Sequence, residues 1–158
     1  KIGADVPICL KGGTQYSISS GDMITAECAH NCVFLCIYPD FTLSTAEAYT
    51  KYDENPTVIN PHYADFVSSI VCGSLSDGAK YISNVFTEIY HDRRIDEIKN
   101  DILSAGAISS EMTGSGSVVF GIFESAEKAG AAMDILSEKY HDVFTAYPVD
   151  CGVAVVER

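Results

Sequence analysis

The residues best suited to chemistry lie in three short stretches. Met112-Thr113-Gly114-Ser115-Gly116-Ser117-Val118-Val119-Phe120-Gly121 places three glycines and two serines around the start of an apolar strand. A loop this poor in side chains admits a ligand to its backbone. Glycine at positive φ can also turn successive N–H groups toward an anion. A tight hairpin turn needs the same residues, so the pattern alone leaves both readings open. In Gly3-Ala4-Asp5-Val6-Pro7, Pro7 fixes its own φ and holds Val6 extended, while Gly3 lets the chain pass close to a neighbour. A carboxylate under such restraint suits a positioned base or a metal ligand; an Asp capping a turn is the plainer alternative. Ser44-Thr45-Ala46-Glu47 has the capping-box pattern, in which Ser44 caps a helix over residues 46–52 and Glu47 reaches back.

The elements that must position these residues follow from periodicity. Residues 1–27 read as short strands joined by turns, with Ile8-Cys9-Leu10 stopped by Gly12-Gly13 and a second turn at Gly21-Asp22. Residues 32–38 form a continuous apolar run ending at Pro39. That run predicts a central strand covered on both faces, or on one face with a partner domain on the other. The helix capped by Ser44 leaves from the end of this strand, a place where ligands often sit in α/β folds. Residues 53–61 form a linker, and Phe66, Val67, Ile70 and Val71 mark a helix ending at Gly73. A further helical turn is expected over residues 76–81. Apolar residues from Phe86 to Leu103 mark one or two helices ending at Gly106. The glycine loop then enters a strand over residues 118–123. An alanine-rich helix starts at Ser125, and strands over 143–147 and 152–156 close the chain. From residue 32 the order is strand, helices, strand, strand, helix, strand. This is the ferredoxin-like split βαβ arrangement of an α+β fold.

Composition sets the outer bounds. The chain has 158 residues, 47% hydrophobic and 20% charged, enough for a core of its own. No apolar run reaches the length of a transmembrane helix, and the N-terminus is not a signal peptide. The net charge of −12 argues against nucleic acid and anionic membranes as partners. A phosphorylated ligand remains compatible if backbone amides and local cations meet it. None of the six cysteines forms a C-x-x-C pair, which suits a reducing cytoplasm better than a secreted scaffold. Cys9, Cys36, Cys72 and Cys151 lie in apolar runs and are expected to be small buried hydrophobes. Cys28, His30 and Cys32 could hold a metal, but their spacing matches no usual zinc pattern, and no metal is assigned.

Three of these features occur together in one known order. Gly3-Ala4-Asp5-Val6-Pro7-Ile8-Cys9 with Gly12-Gly13-Thr14, then Pro39-Asp40-Phe41-Thr42-Leu43-Ser44-Thr45-Ala46-Glu47-Ala48-Tyr49, then residues 112–121, resemble the galactokinase, homoserine kinase, mevalonate kinase and phosphomevalonate kinase (GHMP) superfamily. Within it they resemble the kinases that act on a cytidine-diphosphate-linked methylerythritol. The glycine loop is shared superfamily-wide, and the first two stretches are more specific. The resemblance implies ATP-dependent transfer, with Mg, of a phosphoryl group to the 2-hydroxyl of that substrate in non-mevalonate isoprenoid biosynthesis. Asp5 matches the catalytic Asp that accepts or orients the substrate hydroxyl. Thr45 and Tyr49 match substrate contacts, with Tyr49 stacked on the cytosine. Gly114, Ser115 and Gly116 match the loop that faces the phosphates and supports the ATP-binding loop, and Asn84 falls where the family often has Asn. Residues 1–30 would be a trailing β segment of the N-terminal kinase domain, and residues 31–158 the C-terminal ferredoxin-like domain.

Two departures shape the expectation. The superfamily's ATP-phosphate loop and its N-terminal catalytic Lys have no counterpart upstream of Asp5. Phe41 and Leu43 stand where small or β-branched residues are common. A C-terminal portion of such a kinase is expected, inactive alone and prone to self-association through residues 1–27. Another small-molecule kinase of the superfamily, or a non-catalytic ferredoxin-like ligand-binding module, are the alternatives.

Overall fold

The computed structural model describes residues 6–18, 22–26, 32–54, 63–71 and 75–153. Its centre is a four-stranded antiparallel sheet of β3 (Val33–Tyr38), β4 (Ser109–Met112), β5 (Val119–Phe123) and β6 (Asp142–Ala146). The strand order is β4-β5-β3-β6, so β3 is central and β4 and β6 are the edges. Pairs such as Leu35 with Gly121 and Cys36 with Phe144 fix the register.

β3 alternates in burial, although its sequence is apolar throughout. Val33, Leu35 and Ile37 are buried under helices, while Phe34 and Cys36 are half-buried and Tyr38 is 46% exposed. Among the described residues the strand is therefore covered on one face, not two. The second face carries Phe34, Cys36, Phe120 and Phe144, with Phe34 and Phe120 in an edge-on ring contact at 5.9 Å.

Two helices cover the first face. In α6 (Arg93–Ser104) the N-cap Asp92 accepts from Arg94 N at 2.9 Å, and Ile95, Ile98 and Ile102 form the buried stripe. The helix stops where Gly106, at φ +100, takes a left-handed conformation that side chains resist. In α7 (Ala126–Leu136) Ser125 caps the Lys128 amide, and the small Ala129 and Ala132 with Leu136 allow close approach to the sheet. Gly121 is required on the sheet side, since a Cβ there would collide with Ile102 Cγ2.

The run from Phe86 to Leu103 resolves into two helices. α5 (Val85–Tyr90) ends at His91, in a left-handed conformation at φ 47, and Asp92 then starts α6. α2 (Thr45–Glu54) follows β3; α3 (Tyr63–Val71) packs on α4 (Leu75–Ala79), both close to where periodicity puts them.

The first residues depart from expectation. Ile8-Cys9-Leu10 lies in a helix, α1 (Val6–Lys11), rather than a strand. A three-residue apolar run carries no period that separates the two. The hairpin that follows, β1 (Thr14–Ile18) with β2 (Asp22–Ala26), is as read. Gly13 N donates to Val149 O at 2.9 Å, and the backbones at Gly12 and Gly152 approach too closely for any Cβ. Cys9 and Cys151 are exposed rather than buried, while Cys36 is half-buried; Cys72 lies outside the described residues. Residues 151–153 form no strand, and residues 154–156 lie outside the description. No described helix is long and apolar enough to cross a membrane.

Candidate active site

The glycine loop joins β4 to β5, so it is a hairpin connection as well as an exposed backbone surface. Thr113 N donates to Val118 O at 2.9 Å and Gly116 N to Thr113 O at 3.1 Å, which closes the turn. Gly114 has φ +58 and Gly116 φ +94. The two glycines are needed for different reasons. A Cβ at Gly114 would meet nothing within 4 Å, so only the dihedral excludes other residues and the backbone stays open to a ligand. At Gly116 a Cβ would lie 2.8 Å from both Leu43 Cδ1 and Met112 Sδ, so that side of the loop is packed.

The N-terminus of α2 is brought against this loop. Ser44 Oγ accepts from Glu47 N at 3.3 Å, as the capping box requires. Glu47 does not complete the box as expected: its carboxylate pairs at 3.0 Å with Lys51, one turn on, which favours the exposed helix face instead. Tyr90 of α5 donates its hydroxyl to Ser44 O at 2.8 Å, fixing the cap from outside. Burial pushes the Tyr90 phenol above its usual range; the Glu47 charge adds to this and Lys51 opposes it. Thr45 Oγ1 and Ser115 Oγ share a hydrogen bond of 2.9 Å across the gap between helix and loop. Ser117 Oγ donates to Phe41 O at 2.6 Å, a second tie between the same segments.

Asn84 holds the loop from the other side. Its Nδ2 donates to Met112 O and to Gly114 O, both at 2.7 Å, while its Oδ1 accepts from Phe86 N at 2.9 Å and caps α5. One amide therefore fixes the loop to the first turn of α5. Phe86, in that turn, meets the Tyr49 ring edge-on at 5.1 Å. Tyr49 stays 56% exposed, with ring surface available to a planar partner. Asn84, Phe86, Met112, Gly114 and Phe120 line an open cleft of about 400 Å³ beside the loop.

The structure thus brings together Thr45, Tyr49, Asn84, Gly114, Ser115 and Gly116. Asp5 lies outside the described residues, as do Cys28 and His30; Cys32 is buried with a free thiol. Among the described residues no group of three or more His, Cys, Asp or Glu could hold a metal. The buried Glu111 and the pairing of the Phe86 ring with Tyr49 were not legible in the sequence. Asn84 ahead of an apolar helical run gives a weak N-cap signal, and Glu111 beside an apolar strand reads as an ordinary edge residue.

The profile of the family described as GHMP kinases C terminal matches residues 87–142. The chain is 34% identical over 146 residues to a 4-diphosphocytidyl-2-C-methyl-D-erythritol kinase of Clostridium botulinum (strain Langeland), covering 90% of this chain and 52% of that protein. It is 34% identical over 151 residues to the protein of the same name from Caldanaerobacter subterraneus subsp. tengcongensis, covering 94% and 50%. The chain spans about half the length of the curated relatives it matches. Among solved structures, homoserine kinase from Cytophaga hutchinsonii superposes with a TM-score of 0.70 at 21% identity, covering 93% of this chain and 52% of that one. A 4-(cytidine 5'-diphospho)-2C-methyl-D-erythritol kinase superposes with a TM-score of 0.62 at 17% identity, covering 80% and 46%; both likenesses concern the fold. The chain is therefore similar along 90% or more of its length to 4-diphosphocytidyl-2-C-methyl-D-erythritol kinases, and its residues 87–142 match the C-terminal domain of GHMP kinases.

Proposed function

We propose that the protein to which this chain contributes transfers a phosphoryl group from ATP to the 2-hydroxyl of 4-diphosphocytidyl-2-C-methyl-D-erythritol, a step of isoprenoid biosynthesis. The observation that carries this is the 2.9 Å Thr45–Ser115 hydrogen bond. It joins the helix start matched to substrate binding with the loop matched to the phosphates. Phosphoryl transfer needs mostly positioning and charge stabilisation, and a preformed junction between acceptor and phosphate sites supplies positioning.

In this reading Tyr49 offers its exposed ring to the cytosine, and Thr45 contacts the substrate beside it. Gly114, Ser115 and Gly116 face the phosphates. Open space at Gly114 fits the close approach of a phosphate to the backbone. ATP with Mg supplies the transferable phosphoryl group and neutralises its charge. Asp5 would accept the proton of the acceptor hydroxyl or orient that hydroxyl for in-line attack. The strand order β4-β5-β3-β6, antiparallel throughout, supports the ferredoxin-like split βαβ reading of residues 31–158, with residues 1–30 belonging to the N-terminal kinase domain. In this reading the enzyme is cytoplasmic.

The test is turnover by the full-length gene product with ATP and each of three acceptors: the cytidine-linked methylerythritol, homoserine and mevalonate. Rapid turnover with the first alone is expected. Preference for either of the others moves the protein to another branch of the superfamily. Ligand binding without turnover points instead to a binding module.

A further inference from the structure

We propose that Glu111 is a positioning residue for the glycine loop, acting through the Met112 amide. Its consequence for turnover rests on the kinase reading above; the anchoring itself does not. Glu111 is 6% exposed, and its carboxylate is satisfied by three donors. Oε1 accepts from Thr87 Oγ1 at 2.7 Å and from Met112 N at 2.8 Å. Oε2 accepts from Lys99 Nζ at 2.8 Å. The donors come from α5, from the last residue before the loop, and from α6. None of the proposed ligand-contacting residues is among them.

The arrangement holds the residue that enters the loop at both ends of its backbone. The amide of Met112 is tied through Glu111 to Thr87 of α5, and its carbonyl is tied through Asn84 to the first turn of the same helix. Residues 113–116 thus start from a fixed point, and Ser115 arrives within hydrogen-bond distance of Thr45. A partly buried ion pair such as Glu111–Lys99 is a poor source of net stability, since apolar residues of similar volume often serve as well. What such residues cannot do is accept from Met112 N. That separates a positioning role from a packing role.

The test uses two double variants of the full-length protein. Glu111→Met/Lys99→Met fills the site with apolar volume and leaves Met112 N without its acceptor. Glu111→Gln/Lys99→Met removes the same charges but keeps a carbonyl oxygen for Met112 N. Hydrogen exchange of the amides of residues 112–116 is expected to be about tenfold faster in the first variant than in the second, with β3 and β5 unchanged. Turnover is expected to fall about tenfold or more in the first variant, with KM for the acceptor within about threefold, while the second stays near wild type. Equal exchange in the two variants overturns the proposal. So does a difference in exchange with equal kcat. If the wild-type protein transfers no phosphoryl group, the kinase reading fails, and the exchange comparison alone decides the anchoring.

Discussion

Tyr49 does two things that need different surroundings. Its edge contact with Phe86 sets the ring's orientation, and its exposure leaves the ring accessible. A base stacked on such a ring is worth about 1–3 kcal/mol. Tyr49→Leu in the full-length protein is therefore expected to raise KM for the cytidine-linked substrate about 5- to 150-fold, with kcat little changed, in steady-state kinetics. An unchanged KM would remove Tyr49 from the binding site. At this scale the sequence was legible only where motif and structure coincide. Thr45, Tyr49 and the loop glycines lie in stretches whose resemblance marks them. Glu111 was missed because burial of a single carboxylate depends on Thr87 and Lys99, which no local pattern brings to it.

Elements meet through small residues and a few polar ties. α6 lies on β5 because Gly121 leaves room for Ile102. Gly121→Ala forces one of them to move. It is expected to destabilise by about 1–3 kcal/mol in urea unfolding, with partial recovery when combined with Ile102→Val. Near the end of α7, Lys139 Nζ donates to Glu97 and Asp101 of α6 at 2.7 Å each, and Tyr140 donates to Asp101. Burial pushes the Asp101 carboxyl up, but the hydrogen bonds from Lys139 and Tyr140 bring it below its usual range. Burial, then the Asp101 bond and charge, push the Tyr140 phenol up to about 12. The signs are opposite. The Asp101 contribution is present above its unfolded pKa of about 3.9 and is lost as pH falls through its lower folded value. The Tyr140 contribution is present below its unfolded pKa of about 10 and is lost as pH rises toward about 12. Tyr140→Phe is thus expected to flatten the alkaline limb of the stability profile between those values, and an unaltered limb would exclude Tyr140 as its source. α6 was legible from its apolar stripe, and α7 from Ser125 and its inward alanines. α1 was not, because Ile8-Cys9-Leu10 is too short to show a period. The two faces of β3 were not distinguished either, because both are apolar in sequence and only the helices on one side make them differ.

For the whole molecule, the sheet carries α6 and α7 on one face and leaves Phe34, Phe120 and Phe144 on the other. The site lies at the sheet margin, where the β4–β5 loop meets the start of α2. Its parts come from sequence positions 70 residues apart and are joined by the Thr45–Ser115 bond. Each part is marked by its local sequence; only the fold brings them within hydrogen-bond distance. A double-mutant cycle with Thr45→Val and Ser115→Ala, read as kcat/KM of the full-length protein with ATP and 4-diphosphocytidyl-2-C-methyl-D-erythritol, tests this most directly. Each single variant is expected to lose activity, and the double variant to lose little more than the worse single one, a coupling of about 0.5–3 kcal/mol. Strictly additive losses, or single variants as active as wild type, would contradict a shared site.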